Sequence, residues 1–228
     1  MSNKTIYDAL VAAGMTREGA CGFMGNLQAE SGLEACRLQG DFTENRSTSR
    51  AYVAAVTNGM ITRQQFGSDQ KGFGLAQWTY VNKDRTTGRK FDLYDFWQAS
   101  GEALDSEAMQ IRFALQELRT LPEYAGVWAV LTASHDLRQC TEIVCSVYEN
   151  PAVKNFDARV RFASQIFEEM PREPEPAPAD PQNADPVVRM LQCCMAHDGA
   201  WPQDRIDGVK TDTFREAFVQ YAADVSSC

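Results

Sequence analysis

Histidine is almost missing from this sequence. The two present, His135 and His197, stand in no HxH or HxxxH spacing. A catalytic zinc site takes about three protein ligands, usually with imidazole among them. A zinc amidase is therefore excluded, and no metal or cofactor is expected. Basic runs are equally scarce: none exceeds two residues in a chain of net charge -9. Nucleic-acid affinity rests on neutralising phosphates with a basic patch, so no nucleic-acid partner is expected. Apolar runs stop well short of the roughly 18–20 residues that span a bilayer, which argues against membrane insertion. The opening Met1-Ser2-Asn3-Lys4 leads into a helical pattern, without the basic and apolar regions of a signal peptide. The expectation is a protein made in a cytoplasm.

The seven cysteines lack the pattern of a disulfide framework. Their number is odd, Cys193 and Cys194 are adjacent, and the spacing is irregular. They read as small apolar side chains in a reducing compartment. No stretch alternates apolar and polar residues for long, so any sheet is small.

What the chain does have is a globular balance, 44% hydrophobic and 23% charged over 228 residues. Six of its nine prolines fall within residues 171–186, among four acidic residues. Such a segment favours extended polyproline II and reads as a linker. It separates a domain of residues 1–170 from a small piece of residues 187–228.

Helical stripes dominate the first domain. Ala20, Phe23, Met24 and Leu27 share a face, with Thr16 as N-cap and Gly32 as the stop. Phe91, Tyr94 and Trp97 form another stripe, and Met109, Phe113 and Leu118 a third. Leu137, Cys140, Val144, Val147 and Tyr148 continue the pattern behind Ser134 as N-cap, and Phe156 to Met170 closes it. Residues 40–71 show no periodicity and read as a long polar loop, of the kind that often carries function. In the last piece, Val187–Met195 and Phe214–Tyr221 read as helices around an Asp207-Gly208 turn.

Two segments carry chemistry. Glu30 closes the first amphipathic stripe. The partial negative charge of a helix C-terminus and burial beside apolar neighbours both favour a protonated carboxyl. That is what a general acid for glycosidic cleavage requires. In Gly72-Phe73-Gly74-Leu75-Ala76-Gln77-Trp78, the glycines let backbone approach a ligand closely. The Gln77 amide and the Phe73 and Trp78 rings suit hydrogen bonding and stacking on a sugar.

Glu30-Ser31-Gly32-Leu33 followed by this Gly-Phe-Gly-Leu-Ala-Gln-Trp segment resembles the phage tail lysozyme family. More distantly it is similar to goose-type lysozymes and soluble lytic transglycosylases. Arg89-Lys90 and Tyr148-Glu149-Asn150-Pro151 sit where that group tends to carry an Arg-Lys pair and an aromatic-Glu-x-Pro element. The resemblance spans residues 5 to 170. It implies a mainly α, lysozyme-like domain with a cleft, and cleavage of the β-1,4 bond between N-acetylmuramic acid and N-acetylglucosamine in bacterial peptidoglycan. It places the catalytic acid on Glu30 and cleft-lining roles on Gln77, Trp78, Phe73 and Tyr148. The expected setting is a monomer made in the bacterial host and acting on the wall, as an endolysin or in a phage tail.

Glycosidases normally use two carboxyls. Asp41, Glu44 and Asp69 lie in or beside the polar stretch, and Asp69, next to the glycine-rich segment, is the first choice. Related transglycosylases manage with one glutamate and give 1,6-anhydro products. The last piece is similar to a small peptidoglycan-binding repeat, one residue short after Asp207-Gly208. Two rival classes remain open: a Cys-His wall peptidase using Cys21 or Cys36 with His135, and a non-catalytic wall-binding or tail structural protein.

Overall fold

A computed structural model describes residues 3–79 and 86–171, together with Leu191, Met195, Ala217 and Phe218. The chain divides into two compact units, Met1–Pro171 and Arg172–Cys228. The expected linker beyond Pro171, and the helices and turn expected of residues 187–228, lie outside the described residues apart from those four positions.

The first unit is mainly α. Its helices are α1 (Asn3–Ala12), α2 (Arg17–Ser31), α3 (Ser47–Thr57), α4 (Arg63–Ser68), α5 (Arg89–Ser100), α6 (Glu107–Thr120), α7 (Ala125–Ala133), α8 (Leu137–Ile143) and α9 (Phe156–Glu169). A 3-10 turn, Pro122–Tyr124, precedes α7, and a π-helical turn, Val144–Glu149, continues α8. Among the described residues the only sheet-like pairings are isolated bridges, Leu38 with Phe73 and Phe73 with Trp78. No described helix is long and apolar enough to cross a membrane.

Helix α2 is the axis of the unit, with every residue from Gly19 to Leu27 buried. Its ends follow the sequence signals. Thr16 accepts a hydrogen bond from the Gly19 amide at 2.9 Å, and Gly32 turns left-handed at φ 71° while its N–H donates to the Gln28 carbonyl. Glycines at three-residue intervals explain how one helix is covered on all sides. A Cβ on Gly19 would lie 2.0 Å from the Leu131 carbonyl oxygen. One on Gly22 would lie 2.8 Å from Cys140 Cβ, and one on Gly25 would lie 2.7 Å from Ala163 Cβ. The end of α7, α8 and α9 therefore pack directly on the α2 backbone, and α9 makes the broadest contact. This packing fixes the C-terminal end of α2, where Glu30 sits.

Two expectations are corrected. The polar stretch 40–71 contains α3 and α4. Helix α3 buries only Ser49 and Val56, so it carries no apolar stripe to read. Helix α4 is short, and it opens with a capping box in which Thr62 and Gln65 bond each other's backbone. Ser134 is not the N-cap of α8; it follows α7, and Asp136 caps α8 by accepting from the Gln139 amide at 3.0 Å.

Candidate active site

A cleft of about 760 Å³ opens at the C-terminal end of α2. Glu30 stands on one side. Arg37, Gln39 and Gly40, with Gly72, Ala76, Gln77 and Thr79, also line it. Arg89, Tyr124 and the run Val147–Ala152 complete it. The volume falls within the roughly 300–1,000 Å³ usual for small-ligand sites.

Glu30 does not stand unpaired at its helix end. Arg159 of α9 brings its Nη2 to 2.5 Å from Glu30 Oε1, its Nη1 to 3.0 Å from Asn26 Oδ1, and its Nε to 3.0 Å from the Lys154 carbonyl. The Asn26 amide donates in turn to the carbonyls of Gly22 and Thr141. The guanidinium is thus fixed on three sides, and its side chain is only 7% exposed. It supplies the countercharge that the helix end lacks.

The glycine-rich segment forms a tight loop. Phe73 and Trp78 exchange backbone hydrogen bonds at 3.2 and 3.0 Å, and Gly74 and Gln77 between them adopt positive φ, 78° and 47°. Gln39 bonds the backbone of Gly72 in both directions, and the Gly74 amide donates to Arg37. Gln77 Nε2 donates to the Arg37 and Gly74 carbonyls, and its Oε1 passes so close to Gly72 that a Cβ there would lie 2.9 Å away. Gln77 therefore lines the cleft with its side chain tied down.

Phe73 and Trp78 have a different place from the one expected. Both rings lie in the core, 0% and 1% exposed, and neither lines the cleft. Phe73 packs on Tyr52 and Phe66, and Trp78 packs edge-on against Phe113. Stacking on sugar is not available to either ring; their work is to anchor the loop that carries Gln77.

The anchor for Trp78 is Glu117, a buried carboxylate of α6. It accepts from Trp78 Nε1 at 2.9 Å, from the Tyr148 hydroxyl at 2.7 Å, and from Arg89 through Nε at 2.6 Å and Nη2 at 2.9 Å. Arg89 also donates to the Tyr148 carbonyl at 3.0 Å and lies over its ring. One carboxylate thus joins the glycine-rich loop, the start of α5 and the π-helical turn. Tyr148 borders the cleft, but its ring is buried between Phe23 and Tyr124.

Beyond Tyr148, the π-helical turn ends at Asn150, whose left-handed backbone (φ 43°) lets its N–H reach the Cys145 carbonyl. Single π-turns often mark functional positions. This one places Glu149 in the cleft wall beside Glu30. Glu149 Oε1 is shielded from solvent and accepts no hydrogen bond among the described residues. Burial, reinforced by the Glu30 charge, pushes its carboxyl up to about 8 against the opposing pull of Arg89 and Arg159.

The other acidic candidates have structural partners. Asp69 pairs with the buried Lys90 at 2.6 Å, accepts from the Tyr52 hydroxyl at 2.5 Å, and does not line the cleft. Burial lowers Lys90 to about 8 even though Asp69 opposes the shift. Asp41 is buried, accepting from the amides and hydroxyls of Thr43 and Ser49, which hold its carboxyl well below the usual range. Glu44 is exposed and outside the cleft. The thiols fare no better as nucleophiles. Burial pushes Cys21 up to about 12 and raises Cys36, whereas an activated thiolate needs the opposite. His135 is exposed and pairs with Glu18. Among the described residues no group of three His, Cys, Asp or Glu side chains could hold a metal ion.

Arg159, Asn26 and Glu117 gave no sign in the sequence, because each acts across helices far apart in the chain. Glu149 stood inside a segment already singled out, but its environment depends on the π-turn. A family model described as phage tail lysozyme matches residues 2–170. A comparison with curated proteins found no match.

Proposed function

This chain belongs to the phage tail lysozyme family, a phage-associated, lysozyme-like group acting on peptidoglycan, and from that premise we propose that it is a muramidase whose cleft binds a glycan strand and hydrolyses the β-1,4 bond between N-acetylmuramic acid and N-acetylglucosamine. The observation that carries this reading is the presence of two carboxyl groups, Glu30 and Glu149, in the wall of one cleft. Hydrolysis of a glycosidic bond needs a proton for the leaving oxygen and a carboxylate for the charge that develops at the anomeric carbon. Glu30 is the carboxyl on which the site is built: α2 carries it, and Arg159, itself held by Asn26, orients it.

Gln77, Arg37 and Gln39 offer polar groups along the same cleft, suited to the acetamido and hydroxyl groups of a sugar. Asp69, committed to Lys90, takes no part in the chemistry. Transglycosylation in the same cleft would yield 1,6-anhydro ends, and product analysis separates the two reactions. Residues 1–170 act as the catalytic domain, with the proline-dense segment 171–186 joining it to a piece that retains the enzyme on the wall. Tethering of that kind raises the effective concentration of substrate.

The test is clearance of purified sacculi by the full chain and by Glu30→Gln. The variant keeps the size of the side chain but removes the carboxyl, and clearance should fall by at least ~10²-fold while the protein still unfolds cooperatively, with a lowered thermal transition because Arg159 loses its partner. Clearance near the wild-type rate would remove Glu30 from the reaction.

A further inference from the structure

We propose that Arg37 is the anion reader of the cleft: its guanidinium takes a carboxylate carried by the muramic acid residue, so that the site prefers an acidic strand to a neutral one. This assignment rests on the muramidase reading and deepens it.

Muramic acid differs from glucosamine by a lactyl ether, which ends in a carboxylate or in a stem peptide with carboxylates of its own. The chain itself carries a net charge of -9, so its overall field repels such a strand. Affinity for the strand's carboxylates must come from a local cation. Among the described residues two cations line the cleft, Arg37 and Arg89. Arg89 is already engaged: Nε and Nη2 donate to the Glu117 carboxylate and Nη1 to the Tyr148 carbonyl.

Arg37 is not. Among the described residues its guanidinium makes no hydrogen bond, and its one ion pair is with Glu34 at 3.9 Å, too long for a hydrogen bond. The same Glu34 oxygen accepts from Arg46 Nε, so Glu34 already has a closer partner. Yet the residue is held in place. The Arg37 carbonyl accepts from the Gly74 amide at 2.8 Å and from Gln77 Nε2 at 3.2 Å. The next residue, Leu38, is buried and donates its N–H to Ser49 Oγ at 3.0 Å. The backbone is therefore fixed to the glycine-rich loop, while the N–H groups of the head stay open to a ligand. The side chain is only 20% exposed, so the fold has already removed much of its water. A planar guanidinium in that position can meet both oxygens of a carboxylate at once, beside the Gln77 amide that borders the same cleft.

The test uses the full chain and soluble glycan strands of a diaminopimelate-type peptidoglycan. One batch is native; in the other, carbodiimide coupling has turned the carboxylates into neutral methylamides. Released glycan fragments are measured against strand concentration. Wild type should show a KM about ten-fold higher on the neutralised strands, the scale of a hydrogen bond to a charged group. Arg37→Gln should show the raised KM on native strands and lose little more when they are neutralised, and Arg37→Lys, charged but without the fork, should fall between. A wild type with equal KM on the two batches, or an Arg37→Gln protein that still discriminates ten-fold, overturns the assignment and leaves the muramidase reading intact. The wild-type comparison needs no variant, so it decides the matter even should Arg37→Gln fail to fold. A wild type that cuts neither batch sinks the muramidase reading itself. Strands stripped of their stems by an amidase locate the carboxylate: discrimination kept on stripped strands assigns it to the lactyl group, and discrimination confined to stem-bearing strands assigns it to the peptide.

Discussion

Arg159 donates through separate nitrogens to Glu30 at 2.5 Å and to Asn26 at 3.0 Å, so one guanidinium fixes two residues of α2 that lie one helical turn apart. A lysine in its place has a charge but no fork to serve both acceptors. Arg159→Lys should cut glycan cleavage by at least an order of magnitude with a modest loss of stability. Arg159→Met also strands the Glu30 charge and should cost about 3 kcal/mol, the low end for a broken buried pair because Glu30 keeps some solvent contact. Denaturant melts and reducing-end assays read the two effects separately.

Glu117 should prove to be a stability residue. Glu117→Ala leaves Arg89, Trp78 and the Tyr148 hydroxyl without their acceptor, at a cost of about 3–5 kcal/mol. At ~2–4 °C per kcal/mol for a protein of this size, a thermal scan should show a fall on the order of 10 °C.

The α2 glycines can be tested one at a time. Gly25→Ala puts a methyl 2.7 Å from Ala163, where both partners belong to packed helices, and should destabilise by about 1–3 kcal/mol. Gly126→Ala, in α7 with nothing within 4 Å of its added Cβ, should be neutral or stabilising by up to ~1 kcal/mol. Equal losses at the two sites would contradict the account of how α2 is covered.

Much of the helical framework could be read from the chain because its signals are local. Thr16 and Gly32 bound α2 as their chemistry requires, and the apolar stripes of α2, α6 and α9 each report a face turned to the core. Helix α3 escaped because it buries too little to leave a stripe, and α4 because six residues are too few for a period; only Thr62 and Gln65 betrayed it. At the site, Glu30 and Gln77 do line one cleft, whereas aromatic identity alone could not tell that Phe73 and Trp78 face inward. Asp69 looked available until Lys90, 21 residues on, was brought to it. Residue type and spacing carry local geometry, but a charge partner on another helix leaves no trace in either.

Glu149 makes the stability of the protein depend on pH. Its folded carboxyl, raised to about 8 from an ordinary value of 4.5, binds its proton more tightly than in the unfolded chain. The native state therefore holds the extra proton between those values, and stability falls as pH rises through that window. Glu149→Gln, neutral throughout, should melt several degrees above wild type at pH 9 and close to it at pH 4. Parallel melting curves at the two pH values would contradict the buried, unclamped carboxyl.

The central claim is that this cleft breaks glycan strands, and the most direct measurement is mass analysis of the soluble fragments released from purified peptidoglycan by the full chain. The account predicts disaccharide-based fragments cut at the β-1,4 bond and ending in reducing muramic acid, absent with Glu30→Gln and unchanged in identity with Asp69→Asn. Fragments ending in 1,6-anhydro muramic acid would replace hydrolysis with transglycosylation. Intact glycan strands, with peptide bonds cut or nothing released, would contradict the account.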